Sequence, residues 1–419
     1  MSTATDHFCR QPFPIPWVRE QFPALRLAVG QVPAIFVDGP GGTQVPESVI
    51  QAVGDYYRTS NSNLGGQFST SQKTAEMVQR ARSALAEFLN AADAGEIVFG
   101  QNMTSLTFAL SRVLAKKWAP RSEVIVTSLD HDANVSPWRL AAAERNVRVK
   151  TWEFRKDTCS LDLQDLKALI SERTALIAVT LASNAVGSLV DVRSVVELAR
   201  QVGAMVFVDA VHFAPHGKMD VQALGCDFLA CSAYKFFGPH IGVLWARREW
   251  LASTANYKVR PASDQPPGKW ETGTQSFEGI AGTLAALEYL RNLANKACGA
   301  ASLGGAMDAI RQYELAIIER FLVGIVRNPR ATIYGISDPQ QAARRTPTFA
   351  IRLDGIHPAA AAKKLGEQGI FVWSGHFYAV DLIERLQLSD QGGVIRIGFV
   401  HYNSEDEVDR TLAALENLR

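Results

Sequence analysis

A chain of 419 residues is long for one hydrophobic core and suits a large domain with a smaller companion. Hydrophobic content of 47% and charged content of 20% are those of a globular protein, and a formal charge of +1 leaves no electrostatic footprint for nucleic acid or an anionic membrane. No uncharged apolar run reaches the roughly 18 residues of a membrane span, so neither nucleic acid nor membrane is expected as a partner.

The N-terminal stretch MSTATDHFCRQPFPIPW lacks the basic start and apolar core of a signal peptide. The five cysteines, Cys9, Cys159, Cys226, Cys231 and Cys298, are scattered without CxxC spacing. That fits free thiols in a reducing cytoplasm better than a disulfide or zinc framework, so a cytoplasmic location is expected. Residues 1–35 are rich in proline, carry one predicted helix near Trp17 to Phe22, and are expected to drape over another domain. Phe36 to Thr43 reads as a strand end running into a glycine turn. It is not a dinucleotide fingerprint, because GxGxxG would need glycine at Gln44; with no such motif and no GxxxxGK[ST], a nicotinamide dehydrogenase is disfavoured. Helical periodicity covers 46–58 and 73–90, and the polar glycine loop TSNSNLGGQFSTS between them is suited to crossing to a neighbouring subunit.

From Glu96 the alternation becomes regular: strand 96–100, helix 104–116, strand 123–128, helix 136–145, strand 147–153, helix 162–171, strand 175–182, helix 191–202. Two further buried strands follow. This predicts an α/β fold with a mainly parallel sheet covered by helices on both faces. A helix over 284–293 leads out of it. Helical stretches 305–326 and 358–368 with strands 348–353 and 394–399 then form a smaller α+β C-terminal domain. The expected division is 36–290 for the large domain, and 1–35 with 291–419 for the small one.

The last two strands of the alternation carry chemistry. The apolar run Met205 to Val208 ends in Asp209; the run Phe228 to Cys231 ends in Ser232, and Lys235 follows in a turn closed by Gly238 and Pro239. A carboxylate and an amine at neighbouring strand ends would project into one crevice, where open α/β sheets bind ligands. Pyridoxal phosphate (PLP) needs this pair: a lysine to hold its aldehyde as a Schiff base and an aspartate to keep its pyridine nitrogen protonated. For either residue alone, an ordinary strand end or a surface lysine is the plainer reading.

Other strand ends offer candidates with alternatives beside them. Gly100-Gln101-Asn102-Met103-Thr104 starts a helix whose free N–H groups favour a phosphate, or is a capped start with Thr104 as N-cap. His131 follows strand 123–128 and can pack its flat ring on another, or serve as hydrogen-bonded structure. Asn184 either reaches a ligand or forms an Asx turn before Gly187. His212 and His216 have the spacing of a zinc pair, but Pro215 breaks the helix that spacing requires and no third ligand is apparent, so no metal is expected. Arg396 lies inside the apolar strand Gly393 to Phe399, where its fork suits a substrate carboxylate or a structural salt bridge.

Val208-Asp209-Ala210-Val211-His212 and Ser232-Ala233-Tyr234-Lys235 resemble the cofactor motifs of fold-type I, class V PLP enzymes. The resemblance is closest to the group II cysteine desulfurases and selenocysteine lyases, and it runs from about Phe36 to the C-terminus. It implies the fold-type I PLP-transferase architecture, with the phosphate at Asn102, Met103, Thr104, Ser232 and Tyr234. His131 would stack on the pyridine ring, and His212 would stand beside the phenolic oxygen. Asn184 would touch that oxygen or the substrate carboxylate. Lys235 would form the Schiff base and then move protons at Cα, while Arg396 would hold the α-carboxylate of an amino-acid substrate. Trp270-Glu271-Thr272-Gly273-Thr274 resembles a Glu-x-Gly-Thr turn that sends its threonine to the partner's phosphate, which implies a homodimer; a turn between domains needs none.

The departures are as informative. The group II loop reads Arg-x-Gly-His-His-Cys, and its thiolate attacks the substrate sulfur; here the stretch is Trp373-Ser374-Gly375-His376-Phe377-Tyr378-Ala379. A phenol with an ordinary pKa of about 10 cannot replace a soft thiolate. Trp373 stands at that loop's arginine, and Asn63-Leu64-Gly65-Gly66 stands where the family has an Arg/His pair. The expected enzyme therefore acts on an α-amino acid through a Schiff base and a Cα carbanion, as a lyase or carbon–carbon bond-forming enzyme of the cysteine-free branch. Some of that branch's relatives carry out decarboxylative aldol additions. His376 and Tyr378 are acid/base candidates, and Trp373, Phe377 and Tyr378 form an aromatic rim at the substrate. The alternatives are an aminotransferase or epimerase, a desulfurase with another nucleophile, and an inactive PLP-fold binding protein.

Overall fold

Short buried apolar runs set between helices build a seven-stranded sheet. The computed structural model describes residues 12–418, so Cys9 and most of the signal-peptide reading lie outside it. The strands are β1 (Ile97–Gly100), β2 (Glu123–Thr127), β3 (Arg148–Trp152), β4 (Thr174–Thr180), β5 (Met205–Asp209), β6 (Phe228–Ser232) and β7 (Gly242–Ala246), in the spatial order β1-β7-β6-β5-β4-β2-β3. Pairing is parallel from β6 through to β3. Strand β7 runs antiparallel to both β6 and β1, which the alternation did not predict. The cause is the short return over residues 233–241, which has no room for a crossover helix.

The helices α1 (Met103–Ala115), α2 (Ser136–Ala143) and α3 (Val192–Gln201) follow β1, β2 and β4. On α3 the buried residues Val192, Val195, Val196 and Ala199 form one stripe, as period 3.6 requires. Helix α1 is capped by Asn102, not Thr104: extended Asn102 accepts the Ser105 N–H at 2.8 Å through Oδ1, and Thr104 falls inside the first turn. Gly242 must lack a side chain, since a Cβ there would lie 2.5 Å from the Asn102 backbone. Strand β7 is thereby pressed against the start of α1.

The long helices α4 (Phe277–Cys298) and α5 (Leu303–Ile325) pack on each other and lead to a four-stranded antiparallel sheet. Its strands are β8 (Ala331–Tyr334), β9 (Thr348–Leu353), β10 (Trp373–Gly375) and β11 (Val394–Gly398), ordered β8-β9-β11-β10. Ile317, Phe321, Phe349, Ile395 and Phe399 fill the core beneath this sheet together with Ile35 from the N-terminal segment. Ile35 and Phe36 pair in parallel with Ile370 and Phe371, and Asp38 bridges to Gly398. The glycine turn after Asp38 is thus delivered between the two sheets.

Among the described residues no helix is long and apolar enough to cross a membrane. Cys159, Cys226 and Cys231 are free and buried. Cys298 is disulfide-bonded, which corrects the expectation of five free thiols.

Candidate active site

A cleft of about 310 Å³ opens at the C-terminal ends of the parallel strands, between the two sheets. Asp209 ends β5 and Lys235 follows β6, and both line it. So do Asn102, Met103, Thr104, His131, Asn184, His212, Ser232, Tyr234, Trp373, Tyr378 and Arg396. Residues more than 290 positions apart in the chain are brought together because the C-terminal ends of the parallel strands face the second sheet, which carries Trp373 and Arg396. His376 is exposed and outside the cleft; its Nδ1 accepts the Tyr378 N–H at 3.0 Å, a local turn that aims the ring away. Thr274 is also exposed on this chain and does not reach the cleft.

One end of the cleft is built for an anion. Met103 N–H donates to Ser232 Oγ at 3.0 Å, leaving the serine's own proton free to point outward. Thr104, second residue of α1, contributes an N–H that helix geometry leaves without an intrahelical acceptor. Tyr234 stacks on His240 at 4.8 Å beside them.

The floor carries the titratable groups. Val211 N–H donates to Asp209 Oδ1 at 2.9 Å, leaving the other carboxylate oxygen for a ligand. Burial raises Asp209 to about 6, against the pull of that N–H and of Lys235. Lys235 donates to the Pro40 carbonyl, and its ammonium lies 4.6 Å from the Tyr234 ring centroid. Burial, reinforced by the Arg396 charge, lowers Lys235 to about 7, so near neutral pH a large share is the free amine that nucleophilic chemistry requires. His131 is lowered to about 4 by burial and by the charges of Lys235 and Arg396; its Nδ1 accepts the Ala133 N–H at 3.0 Å, and its neutral ring faces the cleft.

The substrate end is incomplete by itself. Arg396 donates through one terminal nitrogen to the Asn184 carbonyl at 3.0 Å, while its Nε is buried without a partner. Asn184 donates its side-chain amide to the Phe377 carbonyl at 2.9 Å, and its Oδ1 is likewise unpaired. Such orphaned groups are costly unless a ligand completes them. Asp38, which the sequence reading passed over, has an unpaired buried Oδ1 and feels the charges of both Arg396 and Lys235; burial raises it to about 6. The signal was available, since Asp38 ends an apolar run just as Asp209 does. Phe377, Tyr378 and Trp373 close the mouth: Tyr378 stacks on His131 at 5.3 Å, and the Trp373 indole packs where a Cβ on Gly41 would collide at 2.6 Å.

An anion pocket at a helix start, a carboxylate for a ring nitrogen, a flat neutral imidazole and a buried amine fit PLP. Asn102, Thr104, Ser232 and Tyr234 would hold its phosphate, Asp209 its nitrogen, His131 its face and Lys235 its aldehyde.

Comparison with known proteins agrees. The family model described as aminotransferase class-V matches residues 35–411. An aminotransferase-like protein of Gibberella zeae is 31% identical over 417 residues, 96% of this chain and 98% of that one. A cysteine desulfurase of Serratia proteamaculans is 29% identical over 422 residues, covering 97% and 98%. Among solved structures, the cysteine desulfurase of Thermococcus onnurineus superposes with a TM-score of 0.85 at 25% identity, over 97% of this chain and 98% of that one. The cysteine desulfurase CsdA of Escherichia coli, in its S-sulfonic acid form, superposes at 0.83 with the same identity and coverage. This chain belongs to the class V aminotransferase family and is a PLP-dependent enzyme of the cysteine desulfurase-like type.

Proposed function

We propose that this enzyme breaks or makes a bond at the Cα or Cβ of an α-amino acid without transferring sulfur, as a lyase or a carbon–carbon bond-forming enzyme. The observation that carries the reading is Tyr378, 66% exposed at the mouth of the cleft, where a desulfurase needs its cysteine. None of the three free cysteines lines the cleft. Burial pushes the Cys159 and Cys226 thiols up to about 12 and Cys231 higher still, so none supplies a thiolate.

PLP, when bound, supplies the electron sink that makes loss of a proton, CO2 or a β-substituent feasible. The residues of the chain do the rest. Asp209 would hold a proton on the ring nitrogen. Arg396, with its free Nε, receives the α-carboxylate and so fixes the substrate against Lys235. Lys235 Nζ would take up or return the proton at Cα. Trp373, Phe377 and Tyr378 give the cleft an aromatic rim.

The same reading assigns residues 36–290 to a large domain and 1–35 with 291–419 to a small one. It also makes the protein a homodimer in which the exposed Thr274 reaches the phosphate end of the partner's cleft. The Glu271 side chain supports this, because it accepts the Phe99 N–H at 2.8 Å and anchors the turn against β1 at the edge of the sheet. The function is tested by following the visible spectrum of the holoenzyme with each common amino acid and identifying the products of responders by mass spectrometry. A new carbon–carbon bond, CO2 or an eliminated β-group supports the proposal. Amino-group transfer to a keto acid as the sole productive reaction overturns it.

A further inference from the structure

Behind His212 lies a buried polar column that the cofactor site does not require. His212 lines the cleft, and its Nε2 meets the Thr346 hydroxyl at 3.2 Å. The His216 ring stands edge-on to it, with centroids 5.2 Å apart. His216 Nδ1 in turn lies 2.9 and 3.1 Å from the two carboxylate oxygens of Glu314 on α5. Glu314 is fully buried, amid Ile310, Ile317, Ile318 and Phe321 on one stripe of the helix. An apolar residue would continue that stripe. A carboxylate withdrawn from water in this way is held by its partner, and the partner is His216.

Two imidazoles this close in a dry interior cannot both be cations. The bond to Glu314 fixes the His216 ring, and with it the face that His216 turns to His212. The other charged and titratable groups around His212 are Asp209 at the end of β5, Lys235 after β6 and Arg396 on β11. His401, bonded through Nε2 to Tyr289 of α4 at 2.6 Å, lies beyond His216. Burial, then His216, Arg396 and Lys235, all hold His212 well below the ordinary histidine value.

We propose that Glu314 and His216 are positioning residues for His212: the buried pair braces the cleft-lining imidazole so that Nε2 stays on Thr346 and Nδ1 is left for the cofactor ring. The inference rests on PLP occupying this cleft. It makes α5 part of the machinery that sets the cofactor's protonation, although α5 does not line the cleft.

The test is a pH titration of the visible absorbance of the holoprotein without substrate, in the unmutated chain and in the variants Glu314→Gln, His216→Gln, His212→Gln and Glu314→Gln/His212→Gln. Glu314→Gln should keep the band and move its pH midpoint by at least about half a unit, because His212, no longer braced, loses its fixed contact with the cofactor ring. Removing His212 as well should abolish that shift, giving the midpoint of His212→Gln alone. Should Glu314→Gln fail to fold, His216→Gln, whose amide still reaches Glu314, reads the same shift. Intact bands with unchanged midpoints in both single variants overturn the inference. A missing band in the unmutated protein overturns the cofactor placement itself.

Discussion

The guanidinium of Arg396 lies 4.1 Å from the centroid of the Phe377 ring, so the cation offered to substrate is roofed by the loop that carries Tyr378. Phe377 and Tyr378 both have positive φ, 51° and 58°, a conformation that costs a bulky L-residue about 1–2 kcal/mol. Asn184 holds the loop through the Phe377 carbonyl, and Asp132 N–H through the Tyr378 carbonyl at 2.7 Å. The loop that carries Tyr378 is thus tied to the large-sheet side of the cleft at two points.

Arg396→Gln is expected to separate the two ends of the site. The cofactor band should remain, while amino-acid affinity falls by the equivalent of about 2–5 kcal/mol, the usual effect of removing one partner of a buried charge pair. Titrating the visible spectrum with a responding amino acid measures both. Undiminished affinity would mean that another group binds the α-carboxylate.

The Lys235 amine sets a pH dependence for cofactor uptake by the apoprotein. Its value of about 7, set first by burial and next by Arg396, makes the uptake rate rise with pH through neutrality as the neutral amine appears. Arg396 lowers Lys235 and Asp38 raises it. Arg396→Gln should therefore move the midpoint up, and Asp38→Asn should move it down. Stopped-flow absorbance of the apoprotein mixed with PLP gives both midpoints, and a downward shift in Arg396→Gln or an upward one in Asp38→Asn would refute this electrostatic account.

The turn bearing Thr274 is anchored by a buried pair, Arg82 to Glu271 at 2.5 Å. Arg82→Ala leaves that carboxylate buried and unpaired and should cost about 3–5 kcal/mol in denaturant unfolding. Thr274→Val, at an exposed site, should leave stability within about 0.5 kcal/mol yet weaken cofactor retention across the dimer. A chain that sediments as a monomer while retaining its cofactor would contradict the shared site.

Much of the cofactor half was legible because each of its residues follows its own short apolar run. Asp209 and Lys235 end or follow buried strands, His131 follows another, and the alternation around them fixes one side of the sheet. The pairing of β7 was not legible, since orientation depends on the length of the return rather than on composition. Asp38 was missed because its partners Arg396 and Lys235 lie far along the chain, and the column from His212 to Glu314 for the same reason. Asn102 displaced Thr104 as helix cap by backbone conformation, which residue type alone leaves open. The roofing of Arg396 by Phe377 depends on left-handed backbone at residues other than glycine, for which sequence carries no signal.

The most direct test of the central claim is to incubate the holoenzyme with L-cysteine and a reductant and to quantify alanine and sulfide. With Tyr378 at the mouth of the cleft and no cysteine among the described residues lining it, the account predicts no more of either than free PLP produces under the same conditions. Alanine and sulfide released in equal amounts over many turnovers would contradict it and return the protein to the desulfurases with a different nucleophile.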